Sequence, residues 1–564
     1  MLLDSSWRTR IGLCGTIAVV LFSAFFTGCS VPKNVADSQS PNVLIILADD
    51  LGYSDLSVMG GEIPTPNIDR LADEGILFTN FHVAATCSPT RAMLLTGADS
   101  HRVGLGNMGE FLTDAQRGQD GYEGHLNETV ETLASRLQRL GYRTGMAGKW
   151  HLSAQPDQRP HARGFGRTFA LMEGSGSAWD DGSPAPIIGN RTHFTRDGKP
   201  VERPEGFSAT LYVDAMIDFI RAADGDAPFF GYLAFQAVHW PHHAPAKFIE
   251  RSRGLYDEGW RQVHAERVRR QREMGLFDGP ASSIGDEIPN WQDLSASKRR
   301  DEAARMEAYA AMAMAMDHEI GRLLAFLESS GRLDQTLVLF LSDNGADPSE
   351  PERSTFAGEW YKERYPVTDP ERLGSPGSFP STGHAWARVS VAPLADHKGQ
   401  PGEGGLRVPL IARYPSGIPA KSQSSRFGFV TDVVPTVLDA VTASRPSHSF
   451  PDKLDGLSLW NEMRGTALDE AGGQSRAVGY ELMGASALFA GDLKLVRRHG
   501  EPWRLFDVAT DLGEQVDLSR HSPERKARLL RAYDAYESEM GVIAVPADFD
   551  VMKQLLSQPT APSE

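Results

Sequence analysis

The sequence predicts an α/β protein, a sheet sandwiched between helical layers, from three observations. Two short and almost wholly apolar runs, Val43 to Ala48 and Thr336 to Leu341, are bounded by aspartate and glycine, as expected of strands covered on both faces. Between them Val130, Leu133, Ala134, Leu137 and Leu140 recur at helical spacing and stop at Gly141. The 564 residues, 41% hydrophobic and 23% charged, suit a large globular chain and exclude both a single small module and wholesale disorder.

In chain order, Arg8 and Arg10 precede an apolar run from Ile11 to Phe26, which predicts a cleavable export signal over residues 1–28. Phe26-Thr27-Gly28-Cys29 resembles a bacterial lipobox, so Cys29 is expected to carry a lipid on an exported chain, periplasmic or membrane-anchored. Residues 29–40 form a polar tether, and the main domain runs from 41 to 465. Phe229 to Phe235 and Val408 to Ile411 add strands. A helical segment over 301–329 carries Met306, Met312, Met314 and Met316 into the core, and 346–395 is a long irregular excursion. Residues 470–545 predict a smaller α/β subdomain with an antiparallel sheet. It has a hairpin over Ser486 to Val496 turning at Gly491-Asp492, a strand over Trp503 to Val508 and a helix over Pro523 to Met540. Residues 546–564 are a tail.

Lys and Arg number 57 against 74 Asp and Glu, a net charge of −17. That field repels nucleic acid and anionic membranes, so no nucleic-acid partner is expected and membrane contact only through the lipid. An anionic substrate would need a local cationic pocket. Of the three cysteines, Cys14 leaves with the signal and Cys29 is blocked, which leaves Cys87 as the one thiol and no internal disulfide.

Asp49 and Asp50 fall where the first strand ends, and Asp343-Asn344-Gly345 follows another. Ligands of open α/β sheets bind beyond the carboxyl ends of strands, and these two ends offer three carboxylates and an amide. Such hard oxygen donors favour Ca²⁺, with Mg²⁺ second, over Zn²⁺. In Cys87-Ser88-Pro89-Thr90-Arg91, Ser88 suits the N-cap and Pro89 the first helical position, so Cys87 sits at a helix N-terminus that favours anions, with Arg91 beside it.

Cys87-Ser88-Pro89-Thr90-Arg91 through Gly97 resembles the first sulfatase signature, and Gly141 through His151 the second. Asp49-Asp50-Leu51-Gly52, His239-Trp240-Pro241, Ser342-Asp343-Asn344-Gly345 and Lys398 with Glu403-Gly404-Gly405 extend the likeness to bacterial arylsulfatases of the alkaline phosphatase superfamily. The resemblance implies an alkaline-phosphatase-like fold with a large mixed central sheet flanked by helices. It implies hydrolysis of sulfate monoesters of small molecules or glycans, and oxidation of Cys87 to formylglycine by a formylglycine-generating enzyme. It also implies that Asp49, Asp50, Asp343 and Asn344 hold one Ca²⁺ that also meets residue 87. Arg91, Lys149 and Lys398 would then neutralise sulfate, His151 deprotonate the formylglycine hydrate, and His239 assist the leaving oxygen. Lys398 rests on its spacing to Glu403, with His397 adjacent.

Three alternatives stand beside this. A phosphonate monoester hydrolase or phosphodiesterase of the same superfamily shares the oxyanion geometry. A non-catalytic lipoprotein binding sulfated glycans would need no chemistry at Cys87, and a thiol hydrolase would need an unmodified thiol. Specificity is expected from loops 100–125, 174–205, 250–300 and 346–395, where Trp179, Trp360 and Trp386 either stack on a substrate ring or simply pack. His242 and His243 are expected at the pocket rim or surface.

Overall fold

Alternate residues of the strand Asn42–Ala48 feed two separate cores. Leu44, Ile46 and Ala48 join one cluster, and Val43, Ile45 and Leu47 join the other, so the strand is covered on both faces. The computed structural model describes residues 40–179, 192–222, 227–355, 358–443, 454–466 and 476–551. The export signal, Cys29 and nearly all of the tether lie outside these residues, as do positions 552–564. Among the described residues no helix is long and apolar enough to cross a membrane.

Among the described residues the large sheet has 11 strands. Its path runs Ser422–Ser424, Ile76–His82, Arg407–Arg413, Thr336–Ser342, Asn42–Ala48, Phe229–Ala234, Arg143–Lys149, Arg167–Leu171, Phe194–Arg196, Lys199–Val201, with Gly428–Phe429 paired to Ile76–His82. It is mixed: Arg407–Arg413 runs antiparallel to both its neighbours. The four strands from Thr336–Ser342 to Arg143–Lys149 are mutually parallel. Their carboxyl ends therefore share one edge, and Ala48 is in register with Ser342.

Helices cover both faces. Pro66–Asp73, Ser208–Arg221 and Ala296–Ser329 supply Leu71, Met216 and Met306 to the first core. Cys87–Thr96, Leu133–Arg139 and Val433–Thr442 supply Leu94, Leu137 and Val437 to the second. Met312, Met314 and Met316 are buried as expected. The long helix starts at Ala296, five residues before the expected 301, because the Ser295 hydroxyl caps it by accepting from the Lys298 N–H. Its first turn is polar and left no apolar period to see. The helix bearing Leu133 begins there rather than near Val130, capped by the Thr132 hydroxyl. The 346–395 excursion holds the short helices Gly358–Arg364 and Gly383–Ser390.

A second sheet pairs Ala477–Leu482, Ala485–Ala490, Leu493–Arg497 and Arg504–Asp507 antiparallel. Leu488, Leu495 and Leu505 on one face pack under Leu529 and Tyr533 of the helix Pro523–Met540. Ala487, Phe489 and Val496 on the other face join the second core, and the Tyr480 hydroxyl accepts from the Ala85 N–H just before the Cys87 helix.

Candidate active site

Each of the four parallel strand ends delivers polar groups to the shared edge. Asp49 follows Asn42–Ala48 directly, and Asp50 turns into left-handed backbone at φ 62°. Aspartate tolerates that region better than most residues, and the turn cancels the alternation that would otherwise send consecutive side chains apart. Both carboxylates reach Cys87: its thiol lies 3.5 Å from Asp49 Oδ1 and 3.9 Å from Asp50 Oδ1. From the neighbouring strand end, Asp343 Oδ1 accepts from the Asp50 N–H at 3.2 Å, and Asn344 Nδ2 donates to Asp50 Oδ1 at 2.7 Å.

Cys87 opens the helix Cys87–Thr96, all ten residues of which are buried. The N-cap is Thr86, in extended conformation, and not Ser88 as the sequence suggested. Pro89 therefore sits at the third helical position, which it can occupy because the first-turn N–H groups have no intrahelical partner anyway. One turn on, Arg91 is fully buried. Its Nε donates to Asp343 Oδ2 at 2.9 Å, and its Nη1 donates to the Lys149 carbonyl at 2.8 Å. Lys149, last in its strand, places Nζ 2.6 Å from Asp49 Oδ2. Lys398 Nζ lies 2.7 Å from Asp50 Oδ1 and 2.9 Å from Asp347 Oδ2.

Two histidines face this cluster differently. His239 Nδ1 donates to the Trp240 carbonyl at 2.7 Å, which leaves Nε2 as the bare nitrogen, 3.6 Å from Asp50 Oδ2. Burial, with Lys398 and Lys149 nearby, holds its pKa well below the ordinary value. His151, also at positive φ, donates from Nε2 to Glu110 Oε1 at 3.1 Å, so its buried Nδ1 carries the lone pair. Burial lowers its pKa too, against the pull of Glu110.

The acid groups are crowded. Burial raises Asp49 despite Lys149, and it pushes Asp50 up to about 8 against the pull of Lys398. For Asp343 burial is outweighed by Arg91 and Lys149, which hold it below the usual carboxylate range. Burial, reinforced by Asp343, drives the Cys87 thiol well above its ordinary pKa, so the unmodified sulfur is a poor nucleophile here. Single ligand atoms of Asp49, Asp50, Cys87 and Asp343 lie within 4.8 Å of one another. Asn344 Oδ1 is buried and, among the described residues, has no hydrogen-bond partner, which suits it to accept a cation. Oxygen donors, an orphaned carbonyl and two carboxylates pushed toward protonation together fit a hard divalent metal ion.

All ten sequence-predicted site residues lie at this sheet edge; the charged neighbours of His151 are Glu110, Lys149 and Arg91. Asp347 and Glu110 were not foreseen. Asp347 lies four residues past Asp343 and had only that proximity as a signal, and Glu110 had none. His242 and His243 are buried rather than at the rim. His242 packs edge-on against Tyr309, and His243 Nε2 donates to the Ser378 carbonyl at 2.8 Å. Trp386 is a core residue among Tyr256, Trp260 and Trp291 with its N–H on the Glu302 carbonyl, which removes it as a substrate platform.

The chain matches the Sulfatase family model over residues 41–443. It is 37% identical over 538 residues to an uncharacterized sulfatase of Schizosaccharomyces pombe, covering 91% of this chain and 96% of that protein. It is likewise 37% identical over 413 residues to an arylsulfatase of Klebsiella aerogenes, covering 72% of this chain and 88% of that one. In fold it is similar to the solved structure of Ps i-CgsB in complex with k-i-k-neocarrahexaose, with TM-score 0.64 and 23% identity over 88% of this chain and 93% of that one.

Proposed function

The chain belongs to the sulfatase family, with an alkaline-phosphatase-like fold and a sulfuric ester hydrolase's activity, and on that premise we propose an arylsulfatase-type enzyme that uses formylglycine at position 87 and one Ca²⁺. One observation carries the proposal. Cys87 opens a buried helix beside two carboxylates, and burial there raises its thiol pKa, which disfavours a thiolate nucleophile and supports a role for the oxidised side chain instead. As formylglycine, residue 87 would offer a hydrated aldehyde with one hydroxyl to accept the sulfuryl group and another to expel it, and a bound Ca²⁺ would supply Lewis-acid chemistry.

Asp49, Asp50, Asp343 and Asn344 would hold the ion. Arg91, Lys149 and Lys398 bring three fixed positive charges to a site whose chain is otherwise acidic, so they select the oxyanion and stabilise charge as it moves to the leaving oxygen. Each is pinned by a carboxylate or carbonyl, which costs no reorganisation during reaction. His239 turns Nε2 toward the site. An arriving sulfate ester offsets Lys398 and Lys149, favours a proton there, and so lets His239 hand it to the leaving alcohol or phenol. His151 keeps Nε2–H on Glu110 and leaves Nδ1 as the base whose proton uptake frees sulfate.

Substrates would be sulfate monoesters of phenols or sugars. The leader pattern supports an exported, lipid-anchored enzyme of the periplasm, matured by a formylglycine-generating enzyme. Peptide mass spectrometry of residue 87, alongside hydrolysis of an aryl sulfate with and without a Ca²⁺ chelator, tests the scheme. Aldehyde at 87 and chelator-sensitive turnover are expected, whereas full activity with intact sulfur at 87 would sink it. A higher kcat/KM on an aryl phosphate diester or phosphonate would favour the phosphonate hydrolase alternative.

A further inference from the structure

A cavity of about 280 Å³ lies between the segment around Ser283, the helix Gly383–Ser390, the loop leading to Lys398 and the C-terminal sheet. It opens to solvent past His384 and Glu287, which are themselves exposed. It borders the catalytic cluster through His397, whose Nδ1 donates to the Lys398 carbonyl at 3.2 Å.

The acids that line this cavity already have partners. Asp396 pairs with Arg498 and accepts the Gly402 N–H at 3.1 Å. Glu514 lies 3.1 Å from the buried Lys494 ammonium and accepts the Glu403 N–H at 2.9 Å. Glu287 faces His384 at 3.3 Å.

Arg388 is different. It is 7% exposed, yet its guanidinium donates only to neutral oxygens: the Asp396 carbonyl at 2.9 Å, the Ser283 carbonyl at 2.9 Å and the Ser282 hydroxyl. Among the described residues no carboxylate comes within ion-pairing distance of it. Burial draws its pKa below the usual arginine value, and the attraction of Asp396 and Glu287 does not compensate. A buried cation without a counter-charge is costly unless something anionic reaches it. The guanidinium fork also matches a carboxylate or tetrahedral oxyanion better than it matches scattered carbonyls.

We propose that this cavity is an anion-binding subsite in which Arg388 takes a compact oxyanion (sulfate, phosphate or carboxylate), either free in solution or carried as a second charged group by the substrate. The site itself does not depend on the catalytic scheme; only the assignment of its occupant to a substrate rests on the sulfatase reading.

The test uses the full-length Cys87→Ala chain, which binds without turnover. Equilibrium dialysis with radiolabelled inorganic sulfate is expected to give two sites per chain, one of them lost in Arg388→Met and weakened about tenfold in Arg388→Lys. Sulfate binding that survives Arg388→Met undiminished, whether at one site or at two, overturns the proposal. If the anion belongs to the substrate, Arg388→Met weakens a disulfated disaccharide at least tenfold and leaves a monosulfated one as it was. If it is a free ion, both sugars bind as before and only inorganic sulfate loses its site. Should Arg388→Met not fold, selenate soaked into crystals of the unsubstituted protein decides. Anomalous density beside Arg388 supports the subsite, and its absence at saturating selenate overturns it. Because every readout is binding, inactivity toward sulfate esters would sink the catalytic proposal and leave this one standing.

Discussion

Lys398 Nζ lies 2.9 Å from Asp347 Oδ2, so the carboxylate of a residue outside the signature motifs fixes the ammonium that also touches Asp50. Asp347 is buried, and burial, which alone would raise its pKa, is outweighed by the Lys398 ammonium, so it stays ionised at neutral pH. Asp347→Asn should keep the fold and lower kcat/KM for an aryl sulfate by about 10- to 100-fold, the usual cost of losing a group that orients an active-site residue. Lys398→Met should cost more. Equal rates for Asp347→Asn and the unsubstituted enzyme would show that Asp50 alone positions the lysine.

Gly174 abuts the His151 ring. A Cβ added there would stand 2.5 Å from the imidazole carbon and nitrogen, too close without displacing the ring. Displacement of a catalytic group by about 1 Å costs on the order of 100-fold in rate. Gly174→Ala should therefore lower kcat far more than it changes KM, with circular dichroism and melting temperature close to the original.

Metal binding should appear as stability. A ligand at about 100 times its Kd adds roughly 2.7 kcal/mol to a fold that binds it only when native. Ca²⁺ should raise the melting temperature of the chelated protein, and Asp50→Asn should abolish most of the rise. No Ca²⁺-dependent shift in either protein would count against the Asp49, Asp50, Asp343 and Asn344 site.

His101 links the loop after the Cys87 helix to the C-terminal sheet, its Nδ1 3.0 Å from Asp99 and its Nε2 3.3 Å from Glu481. Burial works to lower its pKa, but hydrogen bonds to the two carboxylates overcome this and lift it from 6.5 to about 9. A group with a raised folded-state pKa stabilises fully below its unfolded value and ceases to do so as pH climbs through the folded one. Unfolding free energy should thus hold up to about pH 6.5 and fall by roughly 3 kcal/mol as the pH passes 9. Urea titrations at pH 6 and 9.5 measure the change, and His101→Gln should remove most of it.

Much of this molecule is legible in its sequence. The apolar runs at Val43 and Thr336 carry no amphipathic alternation, and only a strand covered on both faces tolerates that. Sequence pattern also marked Asp49, Asp50, Cys87, Arg91, Asp343 and Asn344, because strand ends and helix starts leave local signatures in residue type.

Tertiary structure decided which of those ends meet. Ala48 pairs with Ser342 across 294 positions of chain, and that register puts the Asp50 amide on the Asp343 carboxylate. It also decided that Asp347 and Glu110 belong with Lys398 and His151, that His242 and Trp386 are interior, and that Arg388 is a buried charge facing a cavity. No spacing rule reaches such contacts. A polar residue in a loop looks the same in sequence whether water or a distant strand satisfies it, and only the packed fold determines which.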